Sequence, residues 1–136
     1  MPTIFDFDAY IQRRLSGKFG TLGQVARHKL LYGVHRAAIA RTGNPAFDCP
    51  CEAWPMGPVF TTLYFNDGRK GNPEALSAPE RAICDWVARV LGATSGRKLA
   101  ARSHAKYPEW YIARKNRKDK TITVDAIREQ LDLVRP

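Results

Sequence analysis

Within residues 50–58 the chain places Pro50, Pro55, Gly57 and Pro58 around Trp54. Proline locks its own φ and has no N–H to give, and glycine loosens the backbone, so no long helix or strand crosses such a segment. Trp54, with Phe60 close behind it, must be ordered by contacts from elsewhere in the chain. The expected local form is a loop followed by a short helix. Pro58 would sit in its first turn, where an N–H has no intrahelical partner, and Val59, Leu63 and Tyr64 would lie along it.

Upstream, Leu22, Ala26, Leu30, Val34 and Ala37 recur every three or four residues, which predicts a helix over residues 21–41 capped by Thr21 and ended by Gly43. Arg27, His28, Lys29, Arg36 and Arg41 fall on its remaining faces, so this helix is expected to be both buried and basic. A first helix is expected over residues 3–15, with Phe5, Phe7, Tyr10, Ile11 and Leu15 as its apolar stripe and Asp6 and Asp8 favouring its N-terminal end.

Downstream, Asp67-Gly68 and Gly71-Asn72-Pro73 form a turn-rich connection, read as a helix-ending loop rather than a hairpin. Ser77 and Glu80 have the spacing of a capping box for a helix carrying Ile83, Trp86, Val87, Val90 and Leu91 inward and ending at Gly92. Thr94 or Ser95 would cap a further helix holding Leu99, and Pro108 interrupts the helical pattern before Trp110 and Tyr111. Residues 97–120 hold nine Lys or Arg against Glu109 and Asp119, and residues 112–121 read as a mobile basic loop. The last helix starts near Thr123, with Ile122 and Ile127 as a hydrophobic staple and Leu131 and Val134 extending its apolar side.

The 136 residues suffice for one domain with a real core, and 44% hydrophobic content argues against wholesale disorder. No apolar run reaches membrane-spanning length, and the N-terminus lacks a basic start followed by an apolar stretch. Cys49, Cys51 and Cys84 cannot all pair within the chain, which favours reduced thiols. The expectation is a soluble, cytoplasmic protein that has no membrane partner. A net charge of +9 favours encounter with anionic partners, whether nucleic acid or an acidic protein surface.

Taken together, Lys29-Leu30-Leu31-Tyr32, then Gly43-x-Pro45-x-Phe47, then Glu52-Ala53-Trp54-x-x-Gly57-Pro58-Val59, resemble the Panacea, or SocA-like antitoxin, domain. Leu63-Tyr64 and the later Leu99, Ser103-His104 and Trp110 match further parts of that pattern, and the likeness spans roughly residues 20–130. Gly33 stands where a second tyrosine is usual, Ala46 for a leucine, Cys51 for the phenylalanine before Glu52, and Met56 for an aromatic. The resemblance implies a binding protein that neutralises a cognate toxin by direct complex formation, and in some relatives an adaptor that presents the toxin to a protease. The fold class expected is mainly α: a compact single domain over residues 1–136, of five or six helices with a short irregular or β-like central segment.

The residues assigned to partner binding are Lys29, Tyr32, Arg36, Glu52, Trp54, Gly57, Pro58, Tyr64, His104 and Trp110. Trp54 beside a rigid turn offers either a large contact surface or a plug for the core beneath the loop. Lys29 and Tyr32 are one turn apart, and Glu52 is the carboxylate expected to pair with Lys29 if it is internal. Ser103-His104 does not establish a nucleophile and base, and a structural histidine is the preferred reading. Cys49-Pro50-Cys51 is too tightly spaced for the usual zinc pair. Neither a phosphate loop nor a hydrolase elbow is present, so neither metal, cofactor nor enzymatic activity is expected. The alternative reading is a nucleic-acid-binding accessory or regulatory protein of a mobile element, using Arg114, Lys115, Arg117, Lys118 and Lys120, with Tyr107, Trp110 and Tyr111 as stacking groups.

Overall fold

The computed structural model describes residues 2–15, 23–91 and 107–134. Thr21, Leu22, Gly92, Thr94, Ser95, Leu99, Ser103 and His104 lie outside the described residues, as does the side chain of Val134. Helix α1 spans Ile4–Leu15, α2 Gln24–Thr42, strands β1 and β2 Cys51–Trp54 and Gly57–Phe60, and α3 Thr61–Tyr64. A 3-10 turn at Pro73–Ala75 precedes α4 at Ala78–Leu91, α5 at Pro108–Lys115 and α6 at Val124–Val134. Among the described residues, six helices around one short antiparallel pair make the mainly α class expected from the sequence.

Helix α2 is the axis of the molecule. It packs against α1, α4, α6 and β2, and every residue from 27 to 35 is buried. The one-sided stripe expected of it is therefore too narrow: neighbours cover all of its faces, so its cationic and aromatic side chains are interior. Gly23 rather than Thr21 is the residue before its first turn, and Gly43 ends it in the left-handed region at φ 82°, donating its N–H to the Ile39 carbonyl. Leu30, Leu31 and Val34 meet Phe7 and Ile11 of α1, Phe60 of β2 and Ile127 of α6 in the core. Each such side chain contributes about 1.5–3 kcal/mol of burial.

Gly33 lets α4 approach α2 closely, because a Cβ there would lie 3.2 Å from both Val87 and Leu91. A tyrosine, usual in the family pattern at this place, would push the two helices apart. The apolar face of α4 is Ile83, Cys84, Val87 and Ala88; Trp86 and Val90, expected inward, are 40% and 45% exposed. The stripe is rotated by the direction from which α1 and α2 approach, and Trp86 instead lies under the Arg41 guanidinium, 5.4 Å from the ring centre. Tyr10 donates to Asp85 at 2.8 Å and ties α1 to α4.

Local signals in the later half form as expected. Ser77 N–H donates to Glu80 at 2.7 Å and Glu80 N–H to the Ser77 hydroxyl at 3.3 Å, completing the capping box. Thr123 caps α6 through the Ala126 N–H at 3.0 Å, with Ile122 and Ile127 both buried beside it. Asp67-Gly68 lies in a turn-rich loop after α3 rather than a hairpin. Pro108 begins α5 after a non-helical Tyr107, so the chain is not helical just before it, and Trp110, Tyr111 and Ile112 all ride on the new helix.

Asp8 was expected only to favour the start of α1, yet it is 4% exposed and receives Arg27 Nε at 3.0 Å and Nη2 at 2.7 Å. Gln12 also donates to it, and Arg27 reaches Asp67 at 2.6 Å. Losing Asp8 would leave the buried Arg27 charge half matched. We therefore expect Asp8→Ala to lower the unfolding free energy in urea by about 3–5 kcal/mol. Asp67→Ala, at the exposed end of the same network, should cost about 1 kcal/mol or less; equal losses would show that the buried geometry is not what matters.

Candidate functional site

The central segment is a hairpin whose two-residue connection is Pro55-Met56, with Cys51 facing Phe60 and Trp54 facing Gly57. Pro58 therefore lies in a strand and not in the first turn of a helix; the helix that follows is confined to Thr61–Tyr64. The alternation of strand side chains sends Cys51 and Ala53 into the core and leaves Glu52 and Trp54 half-buried on the outer face. Both edges of the pair are closed. On the β1 side Ala53 N–H donates to Lys120 and Ile122 N–H to Cys51, each at 2.8 Å. On the β2 side Pro58 has no N–H, and the Phe60 N–H is taken by His28 Nδ1 at 3.1 Å. Strand addition by a partner has little to attach to here.

His28 must be neutral to accept that bond, and burial pushes its pKa down to about 4. His35, two turns along α2, is likewise brought to about 4 by burial, stacked on Phe47 at 5.5 Å. Lys29 is 4% exposed, and its Nζ donates to the Met56 carbonyl at the hairpin tip. The expected Lys29–Glu52 pair is absent: Glu52 instead receives the Trp54 indole N–H at 3.0 Å, fixing the ring from its own strand face. Burial lowers the Lys29 pKa to about 8, and among the described residues no carboxylate forms an ion pair with it.

The fit between Lys29 and the hairpin explains Gly57. Its φ is +131°, and a Cβ at that position would fall on the Lys29 ammonium group. Position 57 thus needs glycine for its backbone, and a methyl group there would also displace the Lys29 ammonium group.

Tyr32 is fully buried and donates to Glu109 at 2.5 Å, while Arg36 Nε and Nη2 reach the same carboxylate at 3.1 and 3.3 Å. Burial, with the Glu109 charge beside it, holds the Tyr32 phenol well above its usual range, so it remains a donor. Arg36 also covers the Tyr107 ring at 5.0 Å. This latch fastens α5 to α2. Glu109 gave no sign in the sequence beyond being one acid in a basic segment, and its partners are 73 and 77 positions away.

Around Lys29 the surface opens into an apolar groove of about 320 Å³, lined by Val25, Trp54, Met56, Gly57, Pro58 and Tyr64 among others. Trp54 meets Tyr64 edge to face at 4.8 Å, and Phe65, 72% exposed, packs edge-on to Tyr64. Of the residues assigned to a partner surface, Lys29, Trp54, Gly57, Pro58 and Tyr64 line this one groove, with Glu52 bonded to Trp54 beside it. Tyr32 and Trp110, at 0% and 5% exposed, belong to the interior instead, and Arg36 serves the latch to α5. His104 lies outside the described residues.

The basic segment is also rearranged. Residues 112–115 are helical, and Asn116 Oδ1 receives the N–H groups of Lys118 and Asp119 in the turn that follows. Arg114 donates to the Ala53 carbonyl and Lys120 to the Arg114 carbonyl, so two of the five assigned cations serve the fold. Lys115, Arg117 and Lys118 remain exposed, but of the three stacking candidates only Tyr111 presents its ring outward. Among the described residues no group of three His, Cys, Asp or Glu is placed to hold a metal. Burial raises Cys51 well above the usual thiol range and Cys84 to about 12, leaving both protonated near neutrality.

Two tests follow from this geometry. Both histidines titrate near 4 when folded and near 6.5 when unfolded, so the unfolded chain takes up more protons between those values. Stability should fall as pH drops from 6.5 towards 4, by up to about 3 kcal/mol for each histidine. In urea titrations across that range His35→Leu should start lower at pH 7 but show a shallower slope; an unchanged slope would mean that His35 is not held neutral. Gly57→Ala should cost roughly 2 kcal/mol or more. The loss should shrink in a Lys29→Ala background, because only the backbone strain then remains.

A family model described as Antitoxin SocA-like, Panacea domain, matches residues 28–111, more than half of the chain. Neither the curated proteins nor the solved structures provide a match. The matched stretch begins at His28, contains the whole hairpin and the groove residues from Lys29 to Tyr64, and ends just beyond Glu109 and Trp110 of the latch. No helix among the described residues is long and apolar enough to cross a membrane. The match supports an antitoxin-like role, with a toxin as partner in general terms. On these grounds the chain belongs to the SocA-like antitoxin family and carries its Panacea domain.

Proposed function

We propose that the protein neutralises a cognate toxin by stoichiometric complex formation, with the groove beside Trp54 as the anchoring surface and no bond made or broken. The observation that carries this reading is the gathering of Val25, Trp54, Met56 and Tyr64 at a single opening over the contact of Lys29 with Gly57. An aromatic held by Glu52 and Tyr64 is already ordered, so little rotamer entropy is lost when a partner covers it. The net charge of +9 speeds encounter with an acidic surface. Delivery of the bound toxin to a protease is the adaptor form of the same reading, and the exposed Lys115, Arg117 and Lys118 are the part of the surface suited to nucleic acid.

The test is capture of the tagged protein from its host, with half of the lysate treated with nuclease. A single stoichiometric protein retained in both halves, whose toxicity is relieved on co-expression, is the expected outcome. Nucleic acid as the only retained component would favour the accessory or regulatory alternative. Trp54→Ala should then weaken the captured complex about thirtyfold or more. Its thermal transition should stay within roughly 5 °C of the parent. A collapsed transition would instead identify Trp54 as part of the core.

A further inference from the structure

We infer that the groove is built for an acidic side chain flanked by apolar ones: a segment of the partner that inserts an Asp or Glu towards Lys29 while its neighbours cover Trp54, Met56 and Tyr64. This rests on the groove being the partner site and adds what the groove selects.

The argument starts from an imbalance. An ammonium group carries three donors and a full charge, and removing it from water is costly unless a carboxylate and further acceptors replace the solvent. Arg27 and Arg36, on the same helix, have that compensation from Asp8, Asp67 and Glu109. Lys29 lies between them in sequence and has, among the described residues, only the Met56 carbonyl. The titratable groups that face it are His28 from its own helix and Cys51 from β1, and neither supplies a negative charge near neutral pH. β2 presents Gly57, Pro58 and Val59, which supply none either. The buried cation of α2 that lines an open groove is thus the one left without a counter-charge among the described residues.

Its surroundings decide the rest of the ligand. The groove wall is apolar and rigid: Pro55 and Pro58 hold the hairpin tip, and Trp54 is fixed by Glu52. Both hairpin edges are occupied, so a partner segment enters by its side chains and not by strand pairing. An acid alone would forgo the apolar contact, and an apolar side chain alone would seal Lys29 away from water with its charge still unmatched. The pair of features satisfies both.

Three probes test this on the full chain by titration, followed by NMR of the groove residues, including the Trp54 indole: acetyl-Leu-Glu-Leu-amide, acetyl-Leu-Gln-Leu-amide and acetyl-Leu-Gln-Leu with a free carboxyl terminus. The acidic amide should bind roughly tenfold or more tighter than its glutamine counterpart. In the parent protein its binding should raise the pKa of the Lys29 ammonium group read from the ε-methylene shifts, which the glutamine peptide should not do. Lys29→Met should equalise the two amides. Equal affinity in the parent, or a Lys29 pKa unmoved by the acidic peptide, would overturn the inference, and the latter readout does not depend on the variant folding. Preference for the free acid over both amides would assign the site to a chain terminus and would also overturn it. A captured partner lost on Trp54→Ala, together with no discrimination among the peptides, would leave the groove as the binding surface and remove only its selectivity for acid.

Discussion

A helix enclosed on every side depends on internal partners for most of the polar side chains it carries, and α2 carries Arg27, His28, Lys29, Tyr32 and Arg36 within three turns. The remainder of the fold supplies those partners. Asp8 of α1 and Asp67 of the loop after α3 answer Arg27, the Phe60 N–H answers His28, the Met56 carbonyl answers Lys29, and Glu109 of α5 answers Tyr32 and Arg36. Hydrogen bonds of this kind are costly to leave unmade, so they specify where each neighbouring element docks. The apolar core supplies most of the driving force, while the polar set on α2 selects one arrangement.

The hairpin shows how this works at the site. A two-stranded pair is marginal by itself in water. Here it is held by His28 and Lys29 from beneath, by residues 120–122 along β1, and by Phe60 in the aromatic cluster with Tyr32, His35 and Phe47. Anchored so, it presents Trp54 and Met56 on a rigid tip without needing a large sheet behind them. The groove is accordingly a by-product of satisfying α2: the hairpin must come close enough for the Met56 carbonyl to reach Lys29, and Gly57 permits that approach.

Much of the local structure was legible because local signals have local causes. The capping box at Ser77 and Glu80, the staple of Ile122 and Ile127 and the glycine stop at Gly43 act within a few residues, and all three form. The failures share a cause of the opposite kind. Glu52 looked like the partner of Lys29 because it was the nearest carboxylate in the recognised pattern, but alternation along β1 turns it to the outer face, where the Trp54 indole takes it. Glu109 carries no local signal because its roles depend on α5 folding back over α2. Trp86 and Val90 share the periodic apolar face of α4 and are nonetheless exposed, because periodicity defines a face but not which side of it the neighbouring helices cover.

The amino-acid sequence by itself determined the positions of α1, α4 and α6, the caps at Gly43, Ser77 and Thr123, the rigid Pro-Gly segment around Trp54 and a family membership carried by the residues between Lys29 and Trp110. These follow from dihedral preference, short-range hydrogen bonding and residue pattern, none of which requires knowing what lies across the fold. Only the tertiary structure decided that Tyr32 and Trp110 are interior, that Lys29 is buried beneath the hairpin with no carboxylate among the described residues to pair with it, and that Trp54 and Tyr64 meet at one opening. Burial and charge pairing are properties of the packed chain, because a side chain's solvent and its counter-ion are both chosen by elements distant in sequence.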